Sequence, residues 1–196
     1  MKREAKFVSF VLAAWLCFAL AVGVADWFQP ASVPVVALTV WTLTGLILLA
    51  CWKIDPISTW AANVDLRWLV LLHTTRFVGF YFLILCRRGE LPCAFAAPAG
   101  IGDITVAAAT VIILLVPKFR ASRRLLLIWN TLGLIDIVFV VSSALRFGLS
   151  DWPSMAPLRE LPLSLLPTFL VPLIIVSHVL IFVRLNRSDT IAPIST

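Results

Sequence analysis

Residues 73–103 read HTTRFVGFYFLILCRRGELPCAFAAPAGIGD, and this stretch decides which kind of fold the chain adopts. It begins inside a long apolar segment, leaves that segment through two arginines, and enters a second apolar segment after a stretch rich in proline and alanine. His73 and Arg76 lie one helical turn apart in the first segment, and Asp103 opens the second. A charged side chain at the centre of a bilayer costs at least about 2.5–3.5 kcal/mol, so ionisable residues in such segments indicate a functional site.

The composition of the whole chain predicts an integral membrane protein. Of its 196 residues, 61% are hydrophobic and only 13% are charged, and the mean hydropathy is +1.03. A helix needs about 20 residues to cross the hydrocarbon core of a bilayer, so the chain is long enough for six crossings with short connections. We therefore predict an all-α bundle of six transmembrane helices, in a single domain covering residues 1–196. The predicted spans are residues 7–25, 35–52, 68–86, 101–116, 125–147 and 161–185.

The connections alternate between rich and poor in basic residues, and this alternation predicts the orientation of the bundle. With both termini in the cytoplasm, eleven basic residues fall on the inner side and four on the outer side. Short cytoplasmic loops carry the excess of Lys and Arg, so we expect an N-in/C-in protein of the inner (cytoplasmic) membrane. The net charge of +6 then reflects topology in a lipid bilayer, and we expect no nucleic-acid partner. The inner set is Lys2, Arg3, Lys6, Lys53, Arg67, Lys118, Arg120, Arg123, Arg124, Arg184 and Arg187, and the outer set is Arg87, Arg88, Arg146 and Arg159.

Two of the connections have a predicted structure of their own. The inner connection KIDPISTWAANVDLR has a helix start at Asp55 and Pro56, followed by apolar residues at helical spacing. This pattern predicts a short helix lying in the cytoplasmic interface, or alternatively a surface linker helix. The outer connection RRGELPCAFAAPAG predicts a Pro/Gly-rich loop over residues 87–100, which either lies in water or re-enters the membrane between helices. Asp103 would then stand at the start of the fourth span, where a carboxylate complements the helix dipole.

The four cysteines show no metal-binding spacing. Cys17 and Cys51 fall in or near the first two spans, where a thiol acts as a small packing residue. Cys86 and Cys93 both lie at the outer face, where an oxidising compartment permits a disulfide. The alternative for this pair is two free thiols near the interface.

Prolines interrupt the predicted sixth span. Pro162, Pro167 and Pro172 each remove a backbone donor and disturb the preceding turn. The carbonyls freed near Leu163 and Thr168 would either bind a ligand or be satisfied by neighbouring hydroxyl groups.

The two histidines suggest one functional hypothesis. His73 and His178 each lie six residues from a basic residue at the cytoplasmic boundary, which places both imidazoles about 9 Å deep at about 1.5 Å per residue. Asn130 falls in the same layer. Two neutral imidazoles at equal depth can hold a b-type haem as axial iron ligands, with Arg76 neutralising a propionate, which would imply electron transfer and a quinone or other electron carrier as partner. Room for a flat cofactor would come from Gly79 and Gly133. The alternative for each histidine is a hydrogen bond to a neighbouring helix.

A second functional hypothesis joins Arg76 to Asp136. Their predicted depths are about 13 and 18 Å, so a salt bridge near the midplane is within reach of the side chains. Asn130 and Asp136 belong to one polar stripe on the fifth span, which must face protein. With the two histidines and Asp103, these residues would line a polar cavity suited to a small-solute or proton transporter or channel. A structural salt bridge that sets the order of the helices is the alternative.

A membrane enzyme is the third class, and its support is weakest. The sequence has no HExxH, no GxSxG and no cluster of cysteine and histidine, so catalytic residues stay unknown. A structural or accessory subunit, held by other membrane subunits, is the remaining alternative.

Overall fold

The computed structural model of the chain describes residues 2–118 and 122–187, and these residues form helices and turns with no strand among them. Six of the described helical segments are long and apolar enough to cross a membrane, in agreement with the predicted number of spans. The helices are α1 (Lys2–Val24), α2 (Val33–Lys53), α3 (Asp55–Asn63), α4 (Leu66–Leu72), α5 (Gly79–Arg88), α6 (Cys93–Leu115), α7 (Arg123–Ser150) and α8 (Val171–Arg187).

The third span consists of α4, a 3₁₀ turn over His73–Val78, and α5. Two threonines explain the tighter turn: the hydroxyl of Thr74 donates to the carbonyl of Leu71, and that of Thr75 to the carbonyl of Leu72. Such local bonds compete with the α-helical pattern. Because side chains three residues apart eclipse one another in a 3₁₀ helix, His73 and Arg76 both point into the bundle and both are buried.

The fourth span begins earlier than the sequence predicts. Helix α6 starts at Cys93, so the predicted Pro/Gly-rich loop over residues 87–100 is wrong, and the connection shrinks to residues 89–92. Gly89, at φ +71°, ends α5 in the left-handed conformation that glycine tolerates. The alanine-rich stretch after Cys93 favours a helix, and Pro98 removes only one bond from it. Asp103 therefore lies in the middle of α6, and its predicted role at a helix N-terminus is wrong as well.

The sixth span begins later than predicted, at Leu166 instead of residue 161, because the prolines delay the α-helix. A short π-helix over Leu166–Leu170 precedes α8. Pro172 cannot donate to the carbonyl of Thr168, and the indole N–H of Trp15 donates to that carbonyl instead, at 3.0 Å. The Thr168 hydroxyl donates to the carbonyl of Ser164 at 2.6 Å. The freed carbonyl is thus bonded to another helix.

The sixth span is the central element of the bundle. In its most apolar window 61% of the residues are buried, against 17% in α1 and in α2. Helix α8 packs against α2, α4 and α7, while α6 packs along the third span and against α7. The predicted short helix of the second connection is α3, which begins at Asp55 and packs against α1 and α2.

The end of the bundle that carries the connection between α5 and α6 is closed by protein. A 3₁₀ turn over Pro153–Arg159 buries Met155 and Leu158 against a core that includes Phe82 and Phe95. Cys86 and Cys93 form a disulfide across the turn between α5 and α6. A large cavity separates part of α1 from α2 and α8.

A candidate intramembrane polar site

Arg76 is the centre of a buried charged cluster that joins three spans. Its side chain is 1% exposed. The guanidinium donates from Nε to Asp103 Oδ1 at 2.6 Å and from Nη1 to the carbonyl of Gly133 at 2.9 Å. Its Nη2 donates to Asp136 Oδ2. One side chain of the third span thus binds α6 through a carboxylate, and α7 through a carboxylate and a carbonyl.

The two carboxylates of this cluster differ in their surroundings. The side chain of Asp103 is 6% exposed and that of Asp136 is 19% exposed. Asp136 lies over Gly102 of α6, where a Cβ atom would collide with its carboxylate. Glycine at this position therefore allows α7 to bring Asp136 close enough to reach Arg76. Asp136 is the member of the cluster nearest the outer surface of the bundle.

A pair of histidines forms the second part of the site. His73 and His178 are both fully buried, and their ring centroids are 4.3 Å apart. Trp129 of α7 meets the His73 ring edge to face, with centroids 4.9 Å apart. The imidazole pair is therefore in direct contact and is enclosed by an aromatic ring.

Hydrogen bonds assign the proton of each imidazole. The amide nitrogen of Asn130 donates to the carbonyl of His178, so Asn130 Oδ1 must accept from His178 Nδ1, at 2.8 Å. The Ser177 hydroxyl donates to the carbonyl of Ile174 at 2.8 Å, so it accepts from His73 Nε2, at 3.0 Å. His73 Nδ1 and His178 Nε2 are left without a hydrogen-bond partner among the described residues. Each imidazole thus keeps one basic nitrogen available for a proton or a ligand.

Gly133 connects the two parts of the site. Its carbonyl accepts from Arg76, and a Cβ atom on it would lie 2.8 Å from Cε1 of His178. Only a residue without a side chain lets α7 pass this close to the imidazole. The charged cluster and the histidine pair therefore share one backbone position.

The clearances at the glycines are occupied by protein. The space beside Gly133 is filled by the imidazole of His178. The backbones of Gly79 and Gly100 cross in direct contact: a Cβ on Gly100 would lie 2.7 Å from the carbonyl oxygen of Gly79. Together with the 4.3 Å between the imidazole centroids, this packing leaves no gap for a flat macrocycle between His73 and His178.

The structure brings together the residues of the predicted polar site, which are His73, Arg76, Asp103, Asn130, Asp136 and His178. The predicted Arg76–Asp136 pair forms, and His73, His178 and Asn130 meet in one layer. Sequence reasoning missed the binding of Asp103 to Arg76, since it placed Asp103 at the end of a span. It also missed the neighbours of the predicted residues, namely Gly102, Trp129 and Ser177. Each directly adjoins a predicted residue in the chain, but no spacing rule marked it. The described residues contain no group of three or more His, Cys, Asp or Glu side chains placed to hold a metal ion.

Comparison with known proteins gives one family relationship. A family model described as a domain of unknown function, DUF8737, matches residues 33–186, from the start of α2 to the last turn of α8. The matched range contains every residue of the site described above. No curated protein and no solved structure is significantly similar to the chain.

Proposed function

The chain belongs to the DUF8737 family, and we propose that it moves protons across a membrane through the cluster around Arg76. The observation that carries this proposal is a charge count. One guanidinium is bonded to two carboxyl groups, those of Asp103 and Asp136, whose side chains are 6% and 19% exposed. Fully ionised, the cluster would have a net charge of −1, and an unbalanced charge in a low-dielectric interior is costly. One carboxyl group therefore carries a proton, which makes the cluster a proton-binding site.

Asp136 is the carboxyl group that exchanges this proton. It is the more exposed of the two, and its partner Arg76 has a second carboxylate to bind while Asp136 is neutral. An anionic solute is a poorer candidate for the cargo, because it would have to displace one of the carboxylates from Arg76. A proton needs no such displacement.

The histidine pair is the second proton-binding site of the proposed path. His73 and His178 each have one basic nitrogen without a hydrogen-bond partner, and Gly133 lies between this pair and Arg76. A neutral imidazole with a free nitrogen can accept a proton and release it again. The proposed path thus runs from Asp136, past Arg76 and the backbone of Gly133, to the two imidazoles.

The proposed orientation has both termini in the cytoplasm of a cell whose inner membrane holds the protein. Two independent features support it. The inner connections carry the larger number of basic residues, although Arg120 of that set lies outside the described residues. The disulfide between Cys86 and Cys93 requires an oxidising compartment, and with the N-terminus inside, the third span ends on the outer face.

Proton flux in reconstituted vesicles tests the proposal. Purified protein is placed in phosphatidylcholine vesicles that contain the pH indicator pyranine, and a potassium gradient with valinomycin drives proton entry. We expect acidification faster than in protein-free vesicles, and we expect Asp136→Asn to return the rate to that of protein-free vesicles, because asparagine cannot bind a proton.

Asp26→Asn is the matched control for this experiment. It makes the same chemical change at an exposed carboxylate in the turn after α1, where asparagine tolerates the positive φ of 55°. Its flux should equal that of the unmodified protein. Equal rates for Asp136→Asn and the unmodified protein, or no flux above protein-free vesicles, would contradict the proposal.

Haem binding is the second candidate, and one observation favours it. Each buried imidazole offers one unpartnered nitrogen, as an axial iron ligand must. The rings would have to move apart, since their centroids are 4.3 Å from one another. Absorption spectra of the oxidised and dithionite-reduced protein, purified after expression with added haem, decide the matter. A Soret band that disappears in both His73→Ala and His178→Ala would establish haem binding, and a spectrum of protein absorption alone would exclude it.

A further inference from the structure

Asn130 is a fully buried amide on α7 whose hydrogen bonds both go to His178. Its amide nitrogen donates to the backbone carbonyl of His178 at 3.1 Å, and its Oδ1 accepts from Nδ1 of the same residue at 2.8 Å. These two bonds fix the orientation of the amide, because turning it over would bring Oδ1 against the carbonyl oxygen. Burial of an amide is costly unless its hydrogen bonds are made, and here both of them serve one histidine.

The two imidazoles consequently carry their protons on different nitrogens. His178 donates from Nδ1 to Asn130, whereas His73 donates from Nε2 to Ser177 Oγ. In a neutral imidazole, the hydrogen bonds of the ring decide which nitrogen carries the proton. His178 is therefore in the Nδ1–H form and His73 in the Nε2–H form.

The free nitrogen of His178 lies on the side of the charged cluster. A Cβ atom on Gly133 would lie 3.3 Å from Nε2 of His178, and the carbonyl of the same glycine accepts from Arg76. In the Nε2–H form this nitrogen would already carry a proton and could accept no other. The form of the imidazole thus decides whether a proton coming from the cluster meets a lone pair.

A proton bound at this nitrogen balances the charge of the cluster. When Asp136 releases its proton, Arg76 and the two carboxylates have a net charge of −1, and an imidazolium at His178 adds +1. Breaking the O–H bond at Asp136 and forming an N–H bond at Nε2 of His178 therefore leaves the sum of charges in the interior unchanged. Such neutrality matters because an unbalanced charge is costly in these surroundings.

We propose that Asn130 is a positioning residue of the proton path, which keeps the lone pair of His178 at Nε2 by accepting from Nδ1–H. The inference rests on the proposed function, since it assigns Asn130 a role in that path. An amide side chain does not exchange protons as a carboxyl or an imidazole does, so Asn130 acts through His178 alone. A proton bound by His178 can then leave only through Nε2.

Magic-angle spinning NMR of the protein in lipid vesicles, at mildly alkaline pH, reads the two tautomers directly. The sequence contains two histidines, so ¹⁵N-labelled histidine gives four ring signals, provided that purification uses a tag without histidine. His73 is followed by Thr74 and His178 by Val179, so additional labels in threonine or in valine assign each residue without any substitution. We expect the proton on Nδ1 in His178 and on Nε2 in His73.

Asn130→Leu removes the acceptor at similar volume. It should lower the ratio of Nδ1–H to Nε2–H in His178 about three- to tenfold, the value of one hydrogen bond between neutral groups. Proton flux in the pyranine vesicles should fall in proportion to the remaining fraction of Nδ1–H, since only that form can accept a proton at Nε2. Asn63→Leu is the matched control: Asn63 is exposed and donates to Thr59 within α3, and its loss should change neither readout.

Several results would overturn the proposal. An Nε2–H form of His178 in the unmodified protein would do so without any variant, and so would an unchanged tautomer in Asn130→Leu. A changed tautomer with unchanged flux would also refute the role of Asn130, while the proton path itself would stand. Absence of flux from the unmodified protein, with both tautomers as expected, would instead remove the proton path and with it this role. Should Asn130→Leu fail to fold, Asn130→Ala replaces it.

Discussion

At the scale of single residues, Arg76 is a charged side chain that is almost completely buried, with 1% of its surface exposed. Its three nitrogen atoms donate to Asp103, Asp136 and the carbonyl of Gly133, so neither lysine nor glutamine can reproduce the set. Removing one partner of a buried ion pair leaves an uncompensated charge in the interior, which costs more than the pair itself contributes. Because one of the two carboxyl groups is ionised, loss of Arg76 leaves that charge unpaired in the interior.

Arg76→Gln should therefore lower the free energy of unfolding by about 3–5 kcal/mol. The double variant Arg76→Gln/Asp103→Asn should recover part of this loss, because the amide carries no charge into the interior. Unfolding by sodium dodecyl sulfate in mixed micelles, followed by tryptophan fluorescence, measures both changes. Arg67→Gln, at a side chain that is 60% exposed, is the control and should leave the unfolding curve in place. Strict additivity of the two substitutions would show that the residues are not coupled.

At the scale of secondary structure, two spans leave the α-helical pattern, and both departures position functional side chains. The 3₁₀ turn in the third span aligns His73 with Arg76, as described above. The prolines of the sixth span free the carbonyl of Thr168, which takes the indole of Trp15 and so fixes α1 against the bundle. The irregular backbone is thus satisfied by protein groups, as a membrane interior requires.

Trp15→Phe should destabilise the protein by about 1–3 kcal/mol, since it leaves a buried carbonyl without a donor. Adding Pro172→Ala should reverse part of this effect, because alanine restores the backbone N–H that bonds Thr168 in an ordinary helix. Thermal unfolding of the two variants in detergent measures the rescue. Trp27→Phe, at a ring that is 72% exposed, serves as the comparison and should behave like the unmodified protein. A double variant less stable than Trp15→Phe alone would refute this account of the turn.

At the scale of the whole molecule, the six spans divide into two groups. The third to sixth spans form a packed unit that contains the polar site. The less buried pair α1 and α2 lies beside it, with α2 packed against α8 and apolar cavities between α1 and α2. The family match begins at α2 and so includes the whole packed unit. The arrangement separates a buried charged cluster in the packed unit from an apolar cavity beside α1.

The proposed orientation predicts where the cysteines react in intact cells. A membrane-impermeant maleimide should label Cys86 and Cys93 only after reduction, since the disulfide blocks both thiols and the outer face exposes them once it is broken. A protease-cleavable tag at the C-terminus should stay intact until the membrane is permeabilised. Labelling that requires permeabilisation of the membrane even after reduction, or cleavage of the tag in intact cells, would reverse the assignment of the two faces.

The sequence by itself determined the helical class, the number of helices long and apolar enough to cross a membrane, and the height of most ionisable residues along those helices. These are properties of consecutive residues: the length of an apolar run, the rise per residue, and the start of α3 at Asp55. Depth alone was sufficient to pair Arg76 with Asp136 and to place His73 beside His178. The predicted starts of α6 and of the sixth span were wrong, because the effect of a proline depends on its surroundings. A single proline is accommodated within the alanine-rich α6, whereas the three spaced prolines before and in the sixth span delay its α-helix.

Only the tertiary structure decided which groups each polar side chain is hydrogen-bonded to. The binding of Asp103 to Arg76 depends on where α6 begins, and the contact of Ser177 with His73 depends on how α8 is rotated about its axis. The apolar cavity beside α1 arises from the distance at which α1 packs, which no local pattern encodes. Rotation and separation of helices are set by packing between residues far apart in the chain, such as Trp15 and Thr168, and so they appear only when all spans are assembled.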